Sequence, residues 1–257
     1  MKAIILAAGR GTRIEAVTHG APKCLIDFGG TTILDNQIEG LWAAGISRIG
    51  IVVGHNADQI VEHIGRTYGD HLDSFDFIYN HAFAKTNNIY SLWLAREWVQ
   101  SESFLVLNAD VLCHPAILLP AVASRRPASM IVDPAWREET MKVIVRKGRI
   151  VRMSKGIPRS EYSATYLGIT AFRRPVVNQL FNEIGAMVGE GRVNEFFNAA
   201  VQRLVDRGLD VGFTSANGLP WAEIDDPADL LYAQTSVAPL MPLRGALSTQ
   251  VLERQVA

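Results

Sequence analysis

Arg13 and Lys23 follow a run of small residues, Ala7-Ala8-Gly9-Arg10-Gly11-Thr12, and Pro22 stands immediately before the lysine. Small residues let backbone N–H groups approach a ligand closely. Two cations beside such a backbone suit a triphosphate: the amides cradle it, and the cations neutralise charge building on a leaving pyrophosphate. Two standard phosphate loops do not fit. The chain has no Gly-Lys dipeptide, which the Walker pattern needs, and Ile14 stands where the dinucleotide fingerprint needs a small residue. A basic solvent loop after a strand is the plain alternative, and a lone Gly-x-Gly would favour it. The whole set at this spacing favours phosphate binding.

Carboxylates form the second group. Asp110 ends Asn108-Ala109-Asp110, just past an apolar run, where ligands gather in open α/β sheets. Far along the chain comes Trp221-Ala222-Glu223-Ile224-Asp225-Asp226-Pro227. Pro227 suits a first helical position and makes Asp226 the N-cap, which leaves Asp225 without a structural task. Glu223 and Asp225 project to one side if this stretch is extended. Nucleotidyl transfer usually needs a divalent ion, and magnesium prefers one or two carboxylates with some waters.

The third group is Asn80-x-x-Phe83-x-x-Thr86-Asn87-Asn88-Ile89-Tyr90-Ser91-Leu92-Trp93, between a strand and a helix. Two adjacent asparagines and a serine one turn on exceed what a helix cap needs, so these groups could meet a base edge. In the second half, Trp136, Tyr162, Tyr166 and Trp221 could face a quaternary ammonium, with Glu161 and Glu223 nearby. Each of these aromatics serves equally well as packing. A primary ammonium could use carboxylates with fewer rings. The six histidines show no metal spacing, and Cys24 reads as packing rather than a nucleophile.

Leu6-Ala7-Ala8-Gly9-x-Gly11-Thr12-Arg13 followed by Pro22-Lys23 resembles the signature of nucleotidyltransferases of the sugar-1-phosphate type. The resemblance implies a Rossmann-like α/β fold with Leu6, Ala7, Ala8, Gly9, Gly11 and Thr12 at the nucleotide. It implies catalytic roles for Arg13 and Lys23, and Mg2+ held by Asp110 and Asp225. The Thr86–Trp93 segment is similar to the branch of bacterial choline-phosphate and phosphonate cytidylyltransferases. That similarity implies CTP, with Asn88 and Ser91 at the base and Asn87 less directly placed. It also implies a small phospho-alcohol or phosphonate acceptor, such as choline phosphate or 2-aminoethylphosphonate. The implied acceptor contacts are Trp136, Lys155, Tyr162, Tyr166, Trp221 and Glu223, with Lys155 facing the acceptor phosphate. The alternatives are a sugar-1-phosphate enzyme using UTP, dTTP or GTP, and a non-catalytic nucleotide-sensing subunit. The latter is disfavoured because Arg13, Lys23, Asp110 and Asp225 are all present.

The elements that must position these groups alternate between short apolar runs and helical periods. Strands are expected at Lys2–Leu6, Ile49–Val53, Phe75–Tyr79, Phe104–Leu107 and Ser129–Val132, and helices near Ile33–Trp42, Asp58–Tyr68 and Asn88–Val99. This order predicts a mostly parallel central sheet flanked by helices. After Asp133 the pattern becomes β-rich, with a hairpin about Lys147-Gly148 and a strand at Thr165–Phe172; the resemblance implies that the acceptor binds in this part, 133–225. Helices follow at Pro175–Ile184 and Val193–Asp206, then a strand at Val211–Thr214 and a helix at Pro227–Gln234. One domain, 1–235, and a tail, 236–257, account for the chain. In the tail, Leu240, Met241, Leu243, Leu247, Val251 and Leu252 could cover a neighbouring copy in a homo-oligomer.

The 257 residues are 48% hydrophobic with a net charge of −1, which suits a sizeable core and disfavours nucleic-acid binding. The first apolar run is far too short for a membrane span and lacks a leader's shape. Two distant cysteines make no disulfide framework or zinc site and point to a reducing cytoplasm.

Overall fold

β1 (Lys2–Ala7) is buried along its whole length because it lies between two parallel neighbours, β2 (Ile49–Val53) and β4 (Phe104–Asn108). A strand covered on both faces reads as a continuous apolar run rather than an alternating one. The structure, a computed structural model, describes residues 1–242. In chain order the remaining elements begin with α1 (Glu15–Thr18), α2 (Ile33–Ala43), α3 (Ala57–Thr67), β3 (Phe75–Tyr79), α4 (Asn88–Leu94) and α5 (Arg96–Val99). After β4 come β5 (Val111–Cys113), α6 (Leu118–Ala123), β6 (Ala128–Asp133), β7 (Lys142–Arg146), β8 (Arg149–Ser154) and β9 (Ala164–Phe172). The described chain closes with α7 (Arg174–Gly189), α8 (Asn198–Asp206), β10 (Val211–Ser215), β11 (Trp221–Glu223) and α9 (Pro227–Tyr232).

The main sheet runs β10-β6-β9-β4-β1-β2-β3. β9 is antiparallel to β4 and β6, and the other neighbours on this path are parallel. This is the mixed, mostly parallel α/β sheet that the alternation predicts. Successive side chains of β1 feed opposite cores. Ile4 and Leu6 join Ile89, Leu92, Phe104 and Phe197 on one face, whereas Ala3 and Ile5 join Leu34, Ile38 and Leu107 on the other. Each such Ile or Leu contributes roughly 1.5–3 kcal/mol on burial.

The β-rich part is a hairpin grafted on the sheet. β7 pairs with β8, and Lys142 and Val143 pair with Thr165 and Ala164 of β9. Lys147 and Gly148 take φ of 49° and 73°, the two positive angles that a two-residue hairpin turn requires. A third, small core holds Ile14, Ile33, Leu112, Ala222, Ile224, Leu230, Ala233 and Val237. It lies directly behind Arg13 and Asp225, whose chain neighbours are Ile14 and Ile224. The chain continues past α9 through a π-helical turn, Ala233–Val237, and a 3-10 turn, Ala238–Leu240, which bring Val237 into that core. Leu243, Leu247, Val251 and Leu252 lie outside the described residues.

Three local expectations change. The helix expected over Asn88–Val99 is two helices, with the Ala95 N–H turned onto Leu92 O at 3.1 Å. The helix expected from Val193 starts at Asn198. The carbonyls of Val193 and Glu195 instead accept from Asn87 N and Ile89 N at 2.9 and 3.2 Å, so long-range pairing holds this stretch out of a helix. β5 and β11 carry no legible period at three residues each, yet they pair antiparallel, with Glu223 opposite Val111.

Candidate active site

A cleft of about 340 Å3 opens at the C-terminal ends of β1 and β4. Leu6, Ala7, Ala8, Gly9, Gly11, Thr12, Arg13 and Lys23 line it from the first loop. Gly11 has φ of 63°, and a Cβ there would touch the Lys23 side chain at 3.4 Å. Glycine therefore serves both the backbone turn and the seating of the lysine.

The other wall is polar. Asn80, Thr86, Asn87, Asn88 and Ser91 line it. Asn80 is buried, and its Nδ2 donates to Thr86 Oγ1 and Ser91 Oγ, both at 3.1 Å. Asn87 caps α4 by accepting from Asn88 N at 2.7 Å. Asn88 Oδ1 accepts from Phe197 N at 2.8 Å. The oxygens of these three amides are thus engaged within the protein. What this wall offers through its side chains is donors: Asn87 Nδ2, the Ser91 hydroxyl hydrogen, and the Asn88 Nδ2 N–H that is not turned to Asn108 Oδ1 at 3.4 Å.

The floor is acidic. Lys23 Nζ donates to Asp110 Oδ2 at 3.1 Å and to Asp225 Oδ1 at 2.8 Å, and Arg13 Nη2 lies 2.7 Å from Asp225 Oδ2. Glu139, on the loop before β7, approaches Arg13 at 3.6 Å. Burial pulls the Lys23 pKa down, but Asp110 and Asp225 outweigh it and hold it above its ordinary value. Burial pushes Asp225 up, but Lys23 and Arg13 outweigh it and hold the carboxylate below its ordinary range. Glu223 goes the other way, raised by burial and by its acidic neighbours Asp110 and Asp225.

Two elements bring these groups together. The β5–β11 pair carries Asp110 before one strand and Asp225 after the other, and Ile224 N donates to Asp110 O at 3.0 Å. From α2, the buried Gln37 donates through Nε2 to Asn108 O at 2.8 Å and Val111 O at 2.9 Å, bracketing Asp110. Asp226 caps α9 in a capping box with Asp229, as its place before Pro227 predicts.

The donor set fits a hard cation. Two carboxylates converge on one point, which Lys23 Nζ occupies, and Asp110 Oδ1 is buried without a hydrogen-bond partner. Cys24 also lines the cleft, but burial pushes its thiol up to about 12, so it stays protonated and is a poor ligand. Among the described residues no group of three or more His, Cys, Asp or Glu could hold a metal. A pair of carboxylates with room for waters suits magnesium better than zinc.

Of the residues expected at an acceptor, Lys155, Tyr166 and Glu223 line the cleft, and Trp136, Tyr162 and Trp221 do not. Trp136 meets Tyr162 edge to face at 4.8 Å and takes Lys142 Nζ on its ring. The Tyr162 hydroxyl bonds to Ala135 O at 2.7 Å. Trp221 is buried under the Arg137 guanidinium, 4.2 Å from its ring centre. These rings shape the loop before β7. Sequence reasoning missed Gln37, Met141, Gly168, Phe196 and Asn198, which come together only through tertiary pairing.

Residues 3–202 match the MobA-like NTP transferase domain. The chain is 24% identical over 259 residues to the CTP:phosphoglutamine cytidylyltransferase of Campylobacter jejuni, covering 90% of this chain and 98% of that one. It is 26% identical to the 2-aminoethylphosphonate cytidylyltransferase of Lancefieldella rimae, covering 90% and 89%. The solved CTP:phosphocholine cytidylyltransferase of Streptococcus pneumoniae shares the fold, with a TM-score of 0.76 at 24% identity over 91% of this chain and 97% of that one. No helix among the described residues is long and apolar enough to cross a membrane.

Proposed function

The chain belongs to the MobA-like NTP transferase family and is a nucleotidyltransferase, and on that premise we propose that it joins CTP to a small phospho-alcohol or phosphonate with Mg2+. The observation that carries this reading is the meeting of Arg13, Lys23, Asp110 and Asp225, from distant segments, at one end of a glycine-lined cleft.

An anionic oxygen of the acceptor attacks the α-phosphorus of CTP. The new P–O bond forms as the bond to the β-phosphate oxygen breaks, and pyrophosphate leaves with the electron pair. The attacking oxygen is already ionised, so no side chain has to remove a proton. The backbone of Ala8–Thr12 follows the phosphates, and Arg13 and Lys23 offset the charge growing on pyrophosphate. Lys23 has three N–H donors and sets two on Asp110 and Asp225; a cation taken up by those carboxylates would release them to phosphate oxygens. Mg2+, held by Asp110 and Asp225, would supply Lewis-acid polarisation of the phosphate oxygens.

The donor-rich wall supports CTP. Cytosine presents N3 and O2 as acceptors, which suit Asn88 Nδ2 and the Ser91 hydroxyl. Uracil would set its own N3–H against a donor. The relatives named for CTP-dependent activities agree with this choice. Pyrophosphate release measured with each of CTP, UTP, dTTP and GTP tests it. The acceptors are choline phosphate, 2-aminoethylphosphonate and glucose 1-phosphate. CTP with a phospho-alcohol or phosphonate gives the signal on this reading. A signal confined to glucose 1-phosphate with another nucleotide replaces it with a sugar-phosphate activity.

A further inference from the structure

Buried polar atoms in folded proteins are paired, and each exception needs a reason. Among the described residues the unpaired buried side-chain atoms are Gln37 Oε1, Asp110 Oδ1, Ser129 Oγ, Asn198 Nδ2 and Thr214 Oγ1. Only Asp110 and Asn198 among these line the cleft. Asp110 is accounted for by the cation site. Asn198 is not: it is 4% exposed, it opens α8, and its amide Nδ2 has no hydrogen-bond partner within 3.5 Å among the described residues.

Its surroundings locate its role. The Tyr166 hydroxyl interacts with the Asn198 amide but holds Thr170 Oγ1 more closely, at 2.8 Å, so at least one of the two Nδ2 N–H donors is left for a ligand. Phe196, two residues before Asn198, carries Lys155 Nζ over its ring at 5.3 Å. The segment leading into α8 is fixed from behind, because Phe197 N donates to Asn88 Oδ1 at 2.8 Å. A fixed N–H donor with room for a ligand and Lys155 therefore line the same cleft, and Lys155 has no ion-pair partner within 4.0 Å among the described residues. A donor and a cation on one wall are complementary to an anion.

We propose that Asn198 is a specificity-determining residue that donates, beside Lys155, to an anionic oxygen of the acceptor's phosphate or phosphonate group. This rests on the cytidylyltransferase reading and adds to it the residue that recognises the second substrate. An unpaired amide in the free protein is a cost in stability that a ligand oxygen removes. The signature is thus a trade of stability against recognition, which a structural asparagine would not show.

The test uses Asn198→Leu and Asn198→Asp in the full chain. Thermal unfolding is measured without ligand. Pyrophosphate release is measured with CTP and Mg2+ against 2-aminoethylphosphonate and choline phosphate. Asn198→Leu is expected to unfold at or above the wild-type temperature, to raise the acceptor KM about tenfold or more, and to leave the CTP KM within about twofold. Asn198→Asp, which sets a carboxylate against the anion, is expected to raise the acceptor KM further with the CTP KM again unchanged. An unchanged acceptor KM in both variants, or a CTP KM that rises as much, overturns the assignment. So does a fall of several degrees in Asn198→Leu with no kinetic split in Asn198→Asp. Calorimetry of CTP with Mg2+ on the wild type separates two failures. CTP binding and wild-type turnover with an acceptor KM unchanged in both variants overturn the role of Asn198 alone, and absence of CTP binding or of turnover overturns the proposed activity together with it.

Discussion

The backbone N–H of Ile224 donates to the carbonyl of Asp110 at 3.0 Å. This bond extends the β5–β11 pairing by one step and sets the Asp225 carboxylate beside that of Asp110 on Lys23. The acidic floor is therefore a product of strand pairing between two segments far apart in the chain. Ile224 itself anchors the pairing by packing on Ile14, Leu112 and Leu230.

Gln37 positions Asp110 without lining the cleft. Its amide holds the carbonyls on both sides of the aspartate, Asn108 and Val111. Replacing it by leucine frees that turn. Gln37→Leu is expected to lower kcat about tenfold and to raise the Mg2+ concentration needed for half-maximal rate, with the CTP KM nearly unchanged. A magnesium titration of both proteins checks this. An unchanged magnesium requirement would mean that the turn holds Asp110 without Gln37.

Asp35 ties the start of α2 to the rest of the protein. It accepts from Thr32 N and Oγ1, from the Tyr68 hydroxyl at 2.8 Å, and faces His63 Nε2 at 2.8 Å. Burial pushes this carboxyl up, but the bonds from His63, Thr32 and Tyr68 outweigh it and bring it down to about 2. A carboxyl lower in the folded than in the unfolded state stabilises the fold above about pH 4. That contribution is lost as pH falls toward about 2, and it amounts to roughly 2 kcal/mol. Denaturant melts across this range should show the loss in the wild type. Asp35→Asn should be less stable at pH 7 by about 2–3 kcal/mol and show a shallower acid slope. Equal slopes would place the acid sensitivity elsewhere.

Cys24 lines the cleft but should be chemically silent. Burial pushes its thiol, like that of Cys113, up to about 12, and both residues are 2% exposed. Iodoacetamide at pH 8 is expected to label neither cysteine in the native protein within an hour and to leave the rate unchanged, whereas denaturant should expose both. Rapid native labelling of Cys24 with loss of activity would contradict the packing described for it.

Much of this site is local in origin, and that much is legible in the sequence. The first loop declares itself through small residues and cations close together in the chain, between Leu6 and Lys23. Asp225 is conspicuous because Asp226 already fills the N-cap before Pro227. The alternation of short strands and helices gives the sheet. What is illegible depends on pairing across the chain. The three-residue strands β5 and β11 are too short to carry a period, so the meeting of Asp110 and Asp225 rests on resemblance until the fold is seen. Asn198 falls where periodicity reads the middle of a helix, and only the bonds from Asn87, Asn88 and Ile89 to residues 193–197 show otherwise. Trp136, Tyr162 and Trp221 have the composition of a cage, but composition does not tell which ring faces a ligand and which holds a loop.

Lys23 is the group on which the account depends, because its ammonium bridges Asp110 and Asp225. The direct measurement is the initial rate of pyrophosphate release by wild type and Lys23→Ala, with saturating CTP, Mg2+ and whichever acceptor the wild type uses. A drop in kcat of about 100-fold or more is predicted, as for removal of a group that stabilises transition-state charge. A folded Lys23→Ala protein that releases pyrophosphate at the wild-type rate would contradict the assignment of this cleft as the site of nucleotidyl transfer.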